Sequence, residues 1–126
     1  MENFYDLEVW KKAREIKKSV RKLTDTFPTE EKYRLSDQII RSSRSVTANI
    51  AEGFGRYTFR ENLQFCVQAR GSLTETLNHL IDAFDEGFID SQMLTNYKKD
   101  FDECGKILNG YVTYLRNQSK KKLPEK

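Results

Sequence analysis

The chain has 126 residues, a length that suits one domain with a single modest hydrophobic core. Charged residues make up 33% of it, above the roughly 25% of an average protein, while eight Phe, six Tyr and one Trp argue against disorder. The net charge of +3 is too small to indicate a partner, and no apolar run approaches the roughly 18 residues of a membrane span. The N-terminus lacks signal-peptide features, so Cys66 and Cys104 are expected to be reduced core thiols of a cytoplasmic protein.

The first half of the chain predicts two amphipathic helices. An apolar series with helical spacing runs from Trp10 to Phe27 and stops at Pro28, which predicts a helix over about 6–26. The next periodic stretch predicts a helix over about 35–53, with several serines where large side chains would be expected.

The second half predicts two longer helices, over about 58–86 and 90–117. Thr58 with Glu61 three residues later has the pattern of a capping box, and Asp90 offers a cap to the last helix.

The tripeptide Glu-Gly-Phe occurs twice, at 52–54 and 86–88. Glycine after a helix end adopts a left-handed turn without steric cost, and a neighbouring apolar residue packs on the last turn. Gly53 and Gly87 are therefore predicted to end the second and third helices. A helical repeat is the alternative, but the side chains between the two copies do not recur.

Four amphipathic segments with short connections predict an all-α domain over residues 1–117. Its expected architecture is an antiparallel up-down-up-down four-helix bundle. Residues 118–126, QSKKKLPEK, lack periodicity and are predicted to form a disordered basic tail.

Three stretches of the chain resemble one known family. They are FYDLEVWKKAREI at 4–16, FPTEEKYRLSDQIIRSSRSVTANIAEGFGR at 27–56 and GSLTETLNHL at 71–80. They are similar to the four-helix-bundle proteins of the 23S rRNA intervening-sequence protein family, and the resemblance extends from Phe4 to about Leu115. NIAEGFGR and the Gly-Ser-Leu of the third helix are its most specific parts.

The resemblance implies a bacterial, left-handed up-down bundle that forms a homo-oligomer, with a homopentamer as the expected assembly. It attaches no enzymatic activity to the chain. The family is named for reading frames inside insertions in large-subunit rRNA genes. It is also similar to accessory proteins of diversity-generating retroelements, which assist a reverse transcriptase. Association with RNA or DNA is an implication of this resemblance.

Basic residues concentrate on the first helix, where Lys11, Arg14, Lys18 and Arg21 step by three and four along one stripe beside the core face. Such a stripe can follow phosphates, although it also fits the solvated face of an ordinary amphipathic helix. The predicted nucleic-acid-binding residues are Lys11, Lys12, Arg14, Lys18, Arg21, Lys22, Arg41 and Arg44.

A structural polar core is predicted from Asn49, Glu52, Arg70 and Ser72. Arg70 occupies an apolar position in the periodicity of the third helix, level with Ser42 and Ser43, and must find polar neighbours there. We expect Glu52 to pair with Arg56 or Arg60, because Arg70 lies roughly 15 Å away along the helix.

Gly71 and Ser72 face the serines of the second helix in this prediction. Small residues on facing helices allow a close approach of the two backbones, so a short distance between the axes is expected here.

Catalysis has little support in the sequence. His79 is the single histidine, and no cysteine or carboxylate stands at a metal-ligand spacing from it, so no catalytic residue, metal or cofactor is predicted. Arg56 beside the start of the third helix offers a weak anion site, which the Thr58 cap explains equally well.

The leading hypothesis is therefore an oligomeric bundle that binds RNA through the basic face of the first helix. A protein-interaction scaffold without nucleic-acid binding is the alternative.

Overall fold

The computed structural model describes residues 3–121, and these residues form four α-helices and no β-strand. The helices are α1 (Glu8–Thr24), α2 (Leu35–Phe54), α3 (Phe59–Asp85) and α4 (Ser91–Ser119), and short 3-10 helices at Phe4–Asp6 and Thr29–Glu31 precede α1 and α2. The all-α class is confirmed, and each predicted helix boundary lies within two residues of the observed one. Gln118 and Ser119 of the predicted tail belong to α4, and residues 122–126 lie outside the described part.

The hydrophobic core lies between the four helices. Each helix packs against the next one along the chain, α4 also contacts α1, and the contact between α2 and α3 is the most extensive. Val20, Ile39, Leu80 and Leu108, one from each helix, are completely buried in this core. None of the helices in the described range is both long and apolar enough to cross a membrane.

The two Glu-Gly-Phe copies have different structural roles. Gly87 follows the end of α3 with φ +79°, and the N–H of Phe88 donates to the carbonyl of Ala83 at 2.8 Å, as predicted for a left-handed helix end. Gly53 does not end a helix, because α2 continues through Phe54 and the capping residue Gly55 has an ordinary φ of −77°. The prediction of a left-handed turn at Gly53 is therefore wrong.

Gly53 instead allows α2 to approach α3 closely. A Cβ atom at this position would lie 2.7 Å from Oδ1 of Asn62 and 2.9 Å from Cβ of Phe65. The close approach expected at Gly71 is not found, because nothing lies within 4 Å of a Cβ built there. The tightest glycine contact between α2 and α3 is thus near the end of α2.

A row of polar side chains, which we call the polar seam, joins α2 to α3 at positions further than Gly53 from the connection between these helices. Oγ1 of Thr76 donates to Oγ of Ser42 at 2.7 Å, and the hydroxyls of Ser45 and Ser72 lie 2.9 Å apart. Nδ2 of Asn49 donates to Oγ of Ser45 at 3.0 Å. Asn49 and Ser72 therefore lie where the sequence predicts polar residues, half-buried between two helices.

Arg70 and Glu52 do not belong to the polar seam, which corrects the predicted polar core. Both are exposed. Arg70 turns away from Ser42 and donates from Nη1 to Oδ1 of Asn109 on α4 at 3.2 Å. With 3.6 residues per turn, the core series passes through Ala69, which is completely buried, so Arg70 points about 100° away from it.

The expected partner of Glu52 is confirmed. Its Oε2 lies 3.2 Å from Nη2 of Arg56, one helical turn later.

The predicted helix caps are also present. The Thr58 hydroxyl accepts from the N–H of Glu61 at 3.1 Å, and Oδ1 of Asp90 accepts from the N–H of Met93 at 2.8 Å.

Candidate nucleic-acid interface

The start of the chain folds an aromatic cluster against α1. The 3-10 helix Phe4–Asp6 places the Phe4 ring edge-to-face with Trp10, with ring centroids 5.3 Å apart. The guanidinium of Arg14, one turn after Trp10, lies 5.6 Å from the Trp10 ring in a cation–π contact. Trp10 is thus held at the protein surface, half-buried, between an aromatic ring and a cation.

These residues form one wall of an open groove of about 730 Å³, which we call the aromatic–basic groove. Its lining residues are Phe4, Tyr5, Trp10, Lys11, Arg14, Glu15 and Lys18. The Tyr5 side chain is exposed at 51% and offers a ring to solvent. Aromatic rings beside cations are the combination that binds single-stranded nucleic acid, because bases stack on the rings while cations contact phosphates.

A second groove lies between α1 and α2 and is smaller, at about 210 Å³. Its lining residues are Lys17, Lys18, Arg21, Ile40, Ser43 and Arg44, and we call it the α1–α2 groove. Four of these six residues are cationic and none is acidic. Within residues 3–121, neither Lys18 nor Arg44 forms an ion pair, so both charges are available to an anion.

Lys18 lines both grooves. The aromatic–basic groove and the α1–α2 groove therefore meet at this residue and form one basic path across the surface of α1 and α2.

The structure brings together most of the predicted basic residues. Lys11, Arg14 and Lys18 share the aromatic–basic groove, while Arg21 and Arg44 join Lys18 in the α1–α2 groove. Arg21 also binds Asp25, with Nη1 and Oδ1 2.7 Å apart.

Two other predicted basic residues stand apart from the grooves. Arg41 lies 3.7 Å from Asp37 and lines neither groove. Lys22 is exposed and also lines neither of them.

Lys12 does not face the grooves, and its assignment to the nucleic-acid surface is corrected here. Its Nζ lies 3.4 Å from Oε2 of Glu103 and 3.7 Å from Oδ1 of Asp100, so the side chain bridges α1 to α4. Burial lowers the pKa of Lys12, but these two carboxylates and Glu15 outweigh it and raise the pKa above its ordinary value. The charge of Lys12 is compensated at the surface between α1 and α4.

Sequence reasoning missed the aromatic members of the site and Lys17. The signal for the aromatic members is the spacing of Trp10 and Arg14, which puts a ring and a cation on the same helix face. The signal for Lys17 is its four-residue spacing from Arg21, another basic residue of the α1–α2 groove. Tyr5 joins the site only because the chain before α1 turns back towards Trp10.

Comparison with known proteins agrees with this architecture. A family model described as 23S rRNA-intervening sequence protein matches residues 5–110. Among solved structures, the chain is similar to a protein of unknown function from the S23 ribosomal protein family of Bacteroides thetaiotaomicron VPI-5482. The TM-score is 0.76 and the sequence identity 24%, over 83% of this chain and 95% of that chain. At this identity the likeness shows the fold alone. No curated protein sequence matches the chain at a significant level.

Proposed function

The chain belongs to the 23S rRNA-intervening sequence protein family, and from this premise we propose that it binds RNA. The binding surface is the basic path formed by the aromatic–basic groove and the α1–α2 groove. The protein acts by binding and not by catalysis, in the cytoplasm, as a homo-oligomer.

The observation that carries the proposal is the position of Lys18 in both grooves. Phosphates of one strand can follow the cations from Lys11 through Lys18 to Arg44, and Tyr5 offers an exposed ring to an unstacked base. If the basic face of α1 were only an ordinary solvent-exposed face, no unpaired cation of α2 would need to lie beside it. Arg44 is such a cation, because it forms no ion pair among the described residues.

The proposal includes the antiparallel up-down-up-down order of the helices, with the left-handed turn implied by the family. Contacts between helices support this order, because residue numbers fall along one helix as they rise along its neighbour. Ser45 meets Ser72 while Ser42 meets Thr76, and Lys12 meets Glu103 while Ser19 meets Tyr97.

A homopentamer is the proposed assembly. A short basic path has modest affinity by itself, and five copies on one ring would bind one long RNA with far higher avidity. Light scattering of the purified protein measures the mass directly, and a monomer at micromolar concentration would contradict the multivalent part of the proposal.

RNA binding is tested with a double variant in which both Lys18 and Arg44 are replaced by glutamine. The slope of log affinity against log salt is negative, and each lost phosphate contact makes it less negative by roughly 0.7 for a single strand. The slope of the double variant should therefore be less negative than that of the wild type by about 1.4. The matched control replaces Lys98 and Lys99, two exposed lysines of α4, by glutamine and should keep the wild-type slope. Filter binding to single-stranded RNA over a salt series measures both.

Three results would contradict the proposal. Wild-type protein that does not bind RNA at low salt would remove the function itself. An equal loss in the two double variants would show that only overall charge matters, and RNA binding that survives both would place the RNA on another surface of the protein.

A further inference from the structure

A separate cavity of about 810 Å³ lies where three stretches of the chain meet at one end of the bundle. These stretches are the residue before α1, the segment from the end of α2 to the start of α3, and the C-terminal part of α4. The lining residues are Leu7, Phe54, Gly55, Arg56, Tyr57, Phe59, Asn62, Tyr111, Tyr114 and Leu115. We call it the aromatic cavity. Its volume falls in the usual range of roughly 300–1,000 Å³ for small-molecule sites.

Five of its ten lining residues are aromatic. The rings of Tyr111 and Tyr114 are nearly parallel, with centroids 6.2 Å apart, and Phe59 meets Tyr114 edge-to-face. Tyr114 is 50% exposed and Tyr57 75% exposed, although both line the cavity. Exposed rings at the mouth of a cavity leave apolar surface in contact with water, which is unfavourable until a ligand covers it. A flat ring is the shape that stacks best on them.

The polar groups of the cavity are few and well placed. Asn62 is 1% exposed and donates from Nδ2 to the hydroxyl oxygen of Tyr111 at 3.1 Å. The hydroxyl is the acceptor in this bond, so its own proton is available to a ligand. Burial raises the pKa of Tyr111, although the bond from Asn62 opposes the shift, and the group therefore stays protonated at neutral pH.

A cation stands among the lining residues. Arg56 lines the cavity, and its guanidinium is held 4.7 Å from the Phe65 ring and 3.2 Å from Oε2 of Glu52. The connection that carries Arg56 leads into the N-terminal end of α3, whose dipole is positive. The guanidinium of Arg56 has N–H donors besides the one that faces Glu52, so it can contact an anion as well, while an aromatic ring occupies the tyrosine-lined part.

We propose that the aromatic cavity binds one nucleotide. The base stacks on Tyr114 and Tyr57, its polar edge accepts a hydrogen bond from the Tyr111 hydroxyl, and the phosphate contacts Arg56. Aromatic walls select a flat ring, the half-buried Tyr111 hydroxyl beside the buried Asn62 supplies one donor, and the cation selects a phosphate over an uncharged nucleoside.

Two sources can supply this nucleotide: the free pool, or one splayed nucleotide of a bound RNA strand. The second source rests on the proposed RNA binding, and one short segment of the chain contributes to both the aromatic cavity and the aromatic–basic groove. Leu7 lines the aromatic cavity, while Tyr5 and Trp10 on either side of it in the sequence line the aromatic–basic groove.

The first arm of the test uses free adenosine, guanosine, cytidine and uridine 5′-monophosphates with the complete chain in equilibrium dialysis. Binding should weaken about fivefold or more in Tyr114→Ala, since stacking on one aromatic side chain is worth roughly 1–3 kcal/mol. Tyr57→Ala should act in the same direction and provides a second variant at a more exposed site. Tyr33→Ala is the matched control, because Tyr33 is 83% exposed and does not line the cavity. Inorganic phosphate should bind more weakly than any nucleotide.

The second arm uses a single-stranded RNA oligonucleotide with the same variants. Tyr114→Ala should weaken RNA binding without changing its salt slope, whereas the Lys18 and Arg44 double variant makes the slope less negative. Nucleotide binding without RNA binding would support the cavity and refute the proposed function. RNA binding that is unchanged in both tyrosine variants, together with no nucleotide binding, would overturn the cavity proposal and leave the proposed function intact.

Discussion

Replacing Gly53 with alanine tests the close contact between α2 and α3. The added Cβ would lie 2.7 Å from Oδ1 of Asn62, 2.9 Å from Cβ of Phe65 and 3.0 Å from the backbone oxygen of Asn62. The Asn62 amide can rotate, but the backbone oxygen and the Phe65 Cβ cannot move unless α3 shifts. Overpacking of this kind costs about 1–3 kcal/mol of the free energy of unfolding.

Gly71→Ala is the matched control, because Gly71 also lies inside a helix and has open space around a Cβ. Alanine gains up to about 1 kcal/mol over glycine in a helix interior, where Gly71 lies, and no more than this at Gly53, the second-last residue of α2. Gly53→Ala should therefore be less stable than Gly71→Ala by at least the overpacking cost, about 1–3 kcal/mol. Urea denaturation at equal protein concentration measures the difference, and equal stability of the two variants would refute the reasoning.

Three further predictions concern single side chains. Arg70→Ala should change the free energy of unfolding by no more than about 0.5 kcal/mol in urea denaturation, because the side chain is exposed and makes one hydrogen bond, and a loss above about 3 kcal/mol would place it in the core. Lys12→Gln should destabilise the fold by about 1 kcal/mol more than Lys11→Gln in the same assay, since only Lys12 bridges to two carboxylates of α4, and equal effects would contradict the bridge. Burial raises the pKa of Cys104 from 9.0 to about 11, so its contribution to stability is present below pH 9 and is lost as pH rises towards 11. Cys104→Ala should flatten the stability profile between these values, and a native thiol that reacts rapidly with a disulfide reagent at pH 8 would show that Cys104 is not buried.

Part of the candidate site could be predicted from the sequence because it lies on one helix. The three- and four-residue steps of Lys11, Arg14 and Lys18 put them on one face of α1 whatever the rest of the molecule does. The sequence predicts Arg44 as a nucleic-acid-binding residue, but its position beside Lys18 depends on how α1 and α2 rotate against each other. Apart from the weak anion site at Arg56, the aromatic cavity was not predicted, since three separate stretches of the chain contribute to it.

Local signals determined the four helices and most of their ends. Hydrophobic periodicity, the Thr58 and Asp90 caps and the left-handed Gly87 act within a few residues, so the sequence alone specifies them. Tertiary packing decided the roles of Gly53, Lys12 and Arg70. Each depends on which neighbouring helix lies opposite, and a rotation of about 100° per residue is enough to move a side chain from the core to the surface.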